Sequence, residues 1–479
     1  VKTDDYTGQF LVRGLYDRRQ GGQTKDALAV SPFASTPYHI DLNTWRIDGF
    51  MKNGYVFNHD LGTSIGIIAS ASYHNQQNTY GLRQWNAAQM NAYLNAIFQT
   101  SFDDSASDPW DNHQHKLSAG VSFNYDGYNE ELLFASNLSP LTNNLNRWEV
   151  TPGVFAEYTY TYKDKLTLLA GIREDYSTRY GFFTTPRMNV RYAPFEWWTI
   201  RGSVGLGYRT PNAIADNAAY LASNRVYYFN ANLAQERSMN TGVSTVFYIP
   251  VGKRELQLSG EYYYTNFLDG VIADIDRSLG GVTLYNMHDV DGAQYFSHNW
   301  QVEANMEILR GWTMTAAFRY TDVQQTTYNT SAQEWQLRDK PLQNKFKGII
   351  TTSYQTPLKT WQFDLTAQFN GSGRMPDGFV IPSGSEQYFV DEFGQIHHKW
   401  YPQLLGQITK YFRTWSLYLG AENITNYTQD NPIVGSTVEH NGHHVVDPSS
   451  STYDASMIWA PIHGWKVYLG FRWALERDE

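Results

Sequence analysis

The feature that most constrains this chain is a strict alternation of apolar and polar residues. In the segment WQFDLTAQFN at 361–370, every odd position is apolar and every even position is polar. Successive side chains of a β-strand point to opposite faces, so this segment predicts a strand with one apolar face and one wet face. Many such strands, joined by links that alternate between short and long, are typical of a transmembrane β-barrel.

The same alternation returns in other segments, at 198–209, 256–264, 300–308 and 312–320. They exceed the roughly 5–6 residues of a typical soluble strand and suit a tilted membrane crossing of about 9–11 residues. Four segments open with tryptophan just after a short turn, where an interfacial aromatic girdle would lie: Trp198, Trp312, Trp361 and Trp415. The soluble alternative, an antiparallel sandwich with one wet face, fits these lengths and girdles less well.

The composition agrees with a membrane wall made of strands. Aromatic residues make up 16% of the chain, yet its mean hydropathy is only -0.50. No run approaches the roughly 18 consecutive apolar residues of a spanning helix. The formal net charge of -10 disfavours a nucleic-acid partner, and the absence of cysteine removes disulfides and thiolate metal sites.

The order of short and long links predicts a strand count and a sidedness. Short turns are expected near 162–164, 194–197, 250–254, 310–311, 357–360 and 412–414, and we assign them to the periplasmic side. Long links are expected at about 210–236, 270–294, 323–344, 371–400 and 428–465, on the opposite side. Counting back from a last strand at 466–473 to a first strand near 9–18 gives about 18 strands, with the first third less regular.

Four stretches carry a resemblance to a known family. GLGYRTPN at 205–212 resembles the Gly-aromatic-Arg-small-Pro element with which a strand opens an extracellular loop in TonB-dependent outer-membrane receptors. AENITNY at 421–427 is similar to that family's penultimate strand. PIHGWKVY at 461–468 is similar to the entry to its last strand, with Trp465 where arginine is usual, and FRW at 471–473 resembles its aromatic C-terminal signal.

The resemblance implies an all-β fold, a transmembrane antiparallel β-barrel of about 22 strands whose lumen is plugged by an N-terminal domain. We therefore expect residues 1–479 to be the barrel domain, with its last 18 strands. The plug and the first four strands would lie upstream in the gene or on another chain.

The functional expectation follows from the same resemblance. The protein would lie in the outer membrane and take up cobalamin or a ferric siderophore, driven by the TonB–ExbB–ExbD complex through the missing plug. Outer-membrane lipid and a small-molecule ligand would be its other partners, and a surface lipoprotein is a further candidate. Two alternatives stay open: a passive 18-strand porin for small solutes or sugars, and uptake of an oligosaccharide or peptide.

Two sets of candidate site residues follow. Aromatic, amide and charged residues in the long loops suit a bulky polar ligand: Tyr220, Asn224, Arg225, Tyr227, Tyr228, Tyr388 and Trp400. Charged residues on the wet faces would line the lumen, either as solvated wall residues that face the plug or as a ligand path: Arg173, Arg201, Arg209, Glu261, Glu303, Arg319 and Asp364.

No catalytic or cofactor motif is present. The chain lacks His-Glu-x-x-His, a phosphate-binding Gly-Lys-Ser/Thr and Gly-x-Ser-x-Gly, so we expect no enzyme and no cofactor. The loop pairs His397-His398 and His443-His444 lack further ligands at metal-binding spacing, and we expect no metal there. The acidic stretch 103–111 is a weak candidate for a calcium site.

Overall fold

The computed structural model describes residues 2–22, 38–81, 83–102, 113–134, 141–229, 232–278, 280–440, 443–448 and 450–473. In chain order its first strands are β1 (Tyr6–Gly22), β2 (His39–Asn58), β3 (Thr63–Tyr80), β4 (Arg83–Ser101), β5 (His113–Phe134), β6 (Leu141–Asn144), β7 (Arg147–Tyr162), β8 (Leu166–Ser177), β9 (Gly181–Thr184), β10 (Arg187–Phe195), β11 (Trp198–Arg209), β12 (Val226–Phe229), β13 (Glu236–Val251) and β14 (Arg254–Asp269).

The remaining strands are β15 (Val271–Asp274), β16 (Gly281–Asn286), β17 (Tyr295–Leu309), β18 (Trp312–Asn329), β19 (Glu334–Asp339), β20 (Phe346–Gln355), β21 (Trp361–Asn370), β22 (Gly373–Arg374), β23 (Tyr388–Val390), β24 (Ile396–His398), β25 (Tyr401–Tyr411), β26 (Trp415–Glu422), β27 (Thr437–His440), β28 (His443–Val446) and β29 (Lys466–Trp473). Two 3-10 helices lie at Ala215–Ala222 and Met287–Asp289.

One antiparallel sheet contains 21 of these strands. Three of the 21 are short and pair with a single neighbour each: β6 with β5, β9 with β8 and β19 with β18. The other 18 form the wall, in which each strand pairs with the next wall strand in the sequence. The all-β architecture and the expected count of about 18 wall strands are therefore confirmed within the described residues.

The connections differ at the two ends of the wall. At the turn end they span 59–62, 163–165, 196–197, 252–253, 310–311, 356–360 and 412–414. At the loop end the long ones span 210–235, 270–294, 330–345, 371–400 and 423–465. The six predicted short turns are confirmed. The acidic stretch at 103–111 lies outside the described residues.

Side chains alternate between the two faces of the wall as the sequence predicts. Val302, Phe318 and Leu365 are exposed on the outward face. On the opposite face, Glu261, Gln301 and Arg319 lie side by side on β14, β17 and β18, because the register pairs Gln301 with both of the others. This parity separates an apolar lipid face from a polar lumen face.

The buried apolar cores lie at the loop end rather than between layers of the sheet. One core joins inward residues of β3, β4 and β5, such as Tyr80, Trp85 and Leu132, to Ile214 and Leu221 of the first long loop. The second core joins Met375, Phe379 and Tyr388 to residues of the last loop, including Met457 and Trp459. The long loops thus fold inward over the lumen and pack on its wall.

The two ends of the strand order lack a partner on one side. Among the described residues, β1 pairs with β2 alone and β29 with β26 alone. None of the helices within those residues is long and apolar enough to span a membrane.

Candidate ligand-binding site beneath the loops

The described residues of the loops 210–235, 270–294, 371–400 and 423–465 form one folded unit, which we call the loop cap. Arg225 is its first hub: its guanidinium donates to Asp454 Oδ2 at 2.6 Å and to the carbonyl oxygens of Gly281, Ser278 and Ile275 at 3.0, 3.2 and 3.4 Å. Both charged side chains are almost fully buried, with exposed fractions of 2% and 6%. A buried charge needs such complete pairing, so this hub ties three loops into a fixed arrangement.

A second buried cluster joins the cap to the wall. The Arg374 guanidinium donates to both oxygens of Asp276 at 3.0 and 2.6 Å, and neither side chain is exposed. Arg338, at the end of the β18–β19 hairpin, donates to both oxygens of Asp377. The neighbouring Arg374 guanidinium holds the pKa of Asp276 below its usual range despite burial, so the pair stays ionised.

Asp274 extends this cluster to the membrane wall. Its carboxylate accepts hydrogen bonds from the amides of Asp276 and Arg277 in the same turn and from the amide of Tyr328 on β18, at 2.8, 3.2 and 2.9 Å. The cap is therefore fastened directly to a barrel strand.

A cavity of about 600 Å³ lies between the loop cap and the inner wall. The cap contributes residues of the 213–220 segment and of β15 and β16, and the wall contributes inward residues of β11, β13, β14, β17 and β18. Its lining combines apolar side chains with a few charged and polar ones, which is typical of a small-molecule site.

The charges of the cavity are unevenly paired. The Arg209 guanidinium donates to Glu236 Oε2 at 2.6 Å and to Asp216 Oδ1 at 2.7 Å, so one cation serves two carboxylates. Asp216 also accepts from the amide of Asn212 at 2.9 Å. The ammonium group of Lys340, the other lining cation, donates only to the Tyr295 hydroxyl, at 3.3 Å, among the hydrogen bonds of the described residues.

Aromatic rings complete the lining. Phe267 and Tyr295 stack with centroids 4.2 Å apart and planes 5° apart, and the Lys340 ammonium lies 5.5 Å from the Tyr295 ring centroid. On the cap side, burial raises the pKa of Tyr220 to about 12. Its phenol therefore remains a hydroxyl at neutral pH and keeps the ability to donate a hydrogen bond.

The structure places the predicted loop residues in different surroundings. Tyr220 lines the cavity. Asn224, Arg225, Tyr227 and Tyr388 hold the cap together: Asn224 donates to the carbonyls of Pro448 and Ser450, Tyr227 to that of Asn217, and the Tyr388 hydroxyl accepts from the Trp459 indole. Tyr228 and Trp400 are exposed. A ligand contact by any of them stays a prediction.

The predicted lumen residues lie on the inner face, but only Arg209 reaches the cavity. Arg173 is held by Asp175 and Ser122, and Asp364 accepts from Ser353 at 2.6 Å. Arg201, Glu261, Glu303 and Arg319 lie further along their strands towards the turn end.

Several cavity residues were absent from the sequence-based prediction: Asp216, Glu236, Phe267, Tyr295 and Lys340. Phe267 and Tyr295 follow the inward parity of their strands, so the alternation could have indicated them. Lys340 could not be found in that way, because its position depends on how the β18–β19 hairpin folds back.

A second concavity, of about 580 Å³, lies on the other face of the wall. Its lining is almost entirely apolar and includes the outward residues Phe363, Leu365, Ile408 and Leu419. Its position on the lipid face makes it a poor candidate for a soluble ligand, so the lumen cavity is the better one.

His397 and His398 are engaged in the cap, whereas the side chains of the pair His443-His444 lie outside what the structure describes. His397 contacts Asp391 Oδ2 at 2.9 Å, and His398 is fully buried and stacks on Trp459 with centroids 4.3 Å apart. Burial lowers the pKa of His398 to about 4. In the described parts of the chain, no three histidine or carboxylate side chains are placed to hold a metal ion together.

An up-and-down wall of 18 antiparallel strands among the described residues, with a polar lumen face and loops folded over a cavity, defines the class: a large outer-membrane β-barrel. The family "TonB dependent receptor-like, beta-barrel" matches residues 2–472. The chain belongs to this family, as its motifs suggested, and the predicted outer-membrane location is confirmed.

Relatives of known structure share the fold. The ferric citrate transporter FecA has a TM-score of 0.63 at 11% identity over 98% of this chain and 68% of its own. FpvA of P. aeruginosa, solved with iron-bound pyoverdine, has a TM-score of 0.61 at 9% identity over 98% and 63%. The Serratia marcescens hemophore receptor HasR, solved with HasA and heme, has a TM-score of 0.59 at 13% identity over 87% and 66%.

A curated protein is similar to part of this chain. The iron-regulated outer membrane virulence protein of Vibrio cholerae is 22% identical over 287 residues, which are 56% of this chain. The match spans only 41% of that protein's length, so the chain aligns with less than half of it.

Proposed function

We propose that this chain is the wall and loop cap of an outer-membrane receptor that takes up a bulky iron chelate by TonB-driven transport. The observation that carries the proposal is the lumen-side cavity of about 600 Å³ beneath the cap. A cavity of this size, with aromatic walls and a few convergent polar groups, suits a compact chelate. The three structural neighbours are a ferric citrate transporter, a protein solved with iron-bound pyoverdine and a hemophore receptor solved with heme, which favours an iron chelate over cobalamin.

The loop cap argues against the passive porin. Two apolar cores and two buried ion-pair clusters hold the loops inward over the lumen. A constitutive diffusion pore needs an open mouth, whereas a receptor needs a structured ligand site. The folded cap therefore supports the receptor.

The energy source and the rest of the wall belong to the same proposal. The unpaired edges of β1 and β29 would be joined by further strands, since a membrane barrel leaves no open sheet edge. Residues 1–479 would then be the later part of a barrel of about 22 strands. A plug inside it would transmit the force of TonB–ExbB–ExbD.

The test is iron uptake by cells that carry or lack the gene. We expect the intact gene to confer uptake of radioactive iron from at least one ferric chelate, and an uncoupler of the inner-membrane proton gradient to abolish it. Uptake that is insensitive to the uncoupler, together with a steady open conductance of the natural protein in planar bilayers, would contradict the proposal.

A further inference from the structure

We infer that the cavity recognises a ligand with an anionic group beside a flat ring system. Lys340 would bind the anionic group, and the Phe267–Tyr295 pair would contact the ring system. The inference rests on the proposed function, because it names the class of chelate that the receptor would take. The side chains that line the cavity carry both features.

Lys340 is the group that would bind the anion. Within the described chain, no carboxylate comes within 4.0 Å of its ammonium, whereas Arg209 is held by two. The Lys340 side chain is half-buried, and its single hydrogen bond to Tyr295 leaves donors available. A partly desolvated cation without a counter-ion favours a negatively charged ligand atom.

The rings of Phe267 and Tyr295 stack face to face next to this cation, so a further ring can contact an outer face or the edges of this stack. Offset-stacked aromatic surfaces favour another flat ring laid against them. A catecholate or a similar aromatic chelating arm offers both features at once, because its oxygen atoms carry negative charge and its ring is planar.

The acidic end of the cavity would orient the ligand. Glu236 and Asp216 share the Arg209 guanidinium, so this trio carries one net negative charge. It repels an anion and accepts hydrogen bonds from hydroxyl or amide groups. The ligand would therefore place its anionic arm at Lys340 and its neutral hydrogen-bond donors at the carboxylates of Glu236 and Asp216.

The experiment measures binding of three ferric chelates to the natural protein in detergent. The probes are an anionic tris-catecholate with rings, ferric citrate, which is anionic without rings, and an uncharged trihydroxamate without rings. Lys340→Met removes the cation. Lys399→Met is the matched control, since Lys399 lies exposed in the same cap and does not line the cavity.

We expect Lys340→Met to weaken the tris-catecholate and citrate chelates about tenfold, in line with the loss of one charge-assisted bond, and to leave the trihydroxamate unchanged. Lys340→Arg should preserve the preference for anions. Phe267→Leu should weaken the tris-catecholate alone. Lys399→Met should change none of the three.

Two contrary results are distinguishable. If the wild type binds and imports ferric chelates but Lys340→Met and Lys399→Met behave alike, the inference is wrong and the proposed function stands. The inference is also wrong if the uncharged chelate loses as much affinity as the charged ones. If the wild type binds none of the three, the inference is wrong, and the uptake test described above decides the proposed function separately.

Discussion

Replacing Arg225 with methionine tests whether the loop cap is held by its buried ion pair. The change removes the bond to Asp454 and three bonds to backbone carbonyls, and it leaves the Asp454 carboxylate buried without its cation. Breaking one partner of a buried pair costs about 3–5 kcal/mol. At about 1.4 kcal/mol per factor of ten, hydrogen-exchange protection in the cap should fall roughly 100-fold or more.

The assay is hydrogen exchange read peptide by peptide in the natural protein. Loss of protection should be confined to cap amides such as Asn224, which bonds the Tyr453 carbonyl, and Val226, which bonds the Gly280 carbonyl. Amides of the wall strands should keep their protection, because their ladders do not depend on the cap.

Two variants serve as controls. Arg277→Met makes the same substitution in the cap, but Arg277 is exposed and lies over the Tyr328 and Trp335 rings, at 5.4 and 5.8 Å. It should cost no more than about 1 kcal/mol. The double change Arg225→Met with Asp454→Leu removes both buried charges and should recover much of the lost protection.

If Arg225→Met leaves hydrogen-exchange protection in the cap unchanged, the buried ion pair does not hold the cap. Unchanged protection together with lost ligand binding would instead make Arg225 a ligand contact, as the sequence suggested.

Three further predictions concern pH, the lipid face and the inner wall. Because burial lowers the pKa of His398 to about 4, the cap should be fully stable above about pH 6.5 and lose up to roughly 3 kcal/mol as the pH falls towards 4. Exchange protection compared at pH 7.5 and 5 would show this, and His398→Phe should remove the pH dependence. Leu365→Arg places a charge on the outward face and should cost about 2–4 kcal/mol and reduce membrane insertion. Gln368→Arg, on the inward face of the same strand, should insert normally. Heat-modifiability on a gel measures the folded fraction of both variants, and equal losses of folded protein would overturn the assigned faces. A Cβ at Gly470 would lie 2.0 Å from the Tyr418 ring across the strand pair. Gly470→Leu should therefore displace that ring and lower the yield of folded barrel. The double variant Gly470→Ala with Tyr418→Ala removes the ring and should fold normally.

The wall could be predicted from the sequence because its pattern is local. The alternation at 361–370 reappears as β21, and the turn expected at 310–311 separates β17 from β18. In lipid every backbone group must be paired within the barrel, so residue parity and strand order determine most of the structure. In the first third the alternation does not mark the end of β3, because residues 74–79 near its end at Tyr80 are polar on both faces of the strand.

The cap could not be predicted, because its contacts join residues far apart in the chain. Arg225 and Asp454 are 229 positions apart, and Arg374 and Asp276 are 98 apart. Composition placed Arg225 and Tyr388 among the ligand candidates, since arginine and tyrosine in loops are typical of binding sites. Only the folded loops show that both side chains are engaged inside the cap.

The most direct measurement is anomalous X-ray scattering at the iron edge from crystals of the natural protein grown with a ferric tris-catecholate. We expect one iron peak in the cavity, between Tyr220 on the cap and the Phe267–Tyr295 pair, with the chelate anion at Lys340. An iron site on the outer surface of the cap, or an empty cavity in a protein that imports the same chelate, would contradict it.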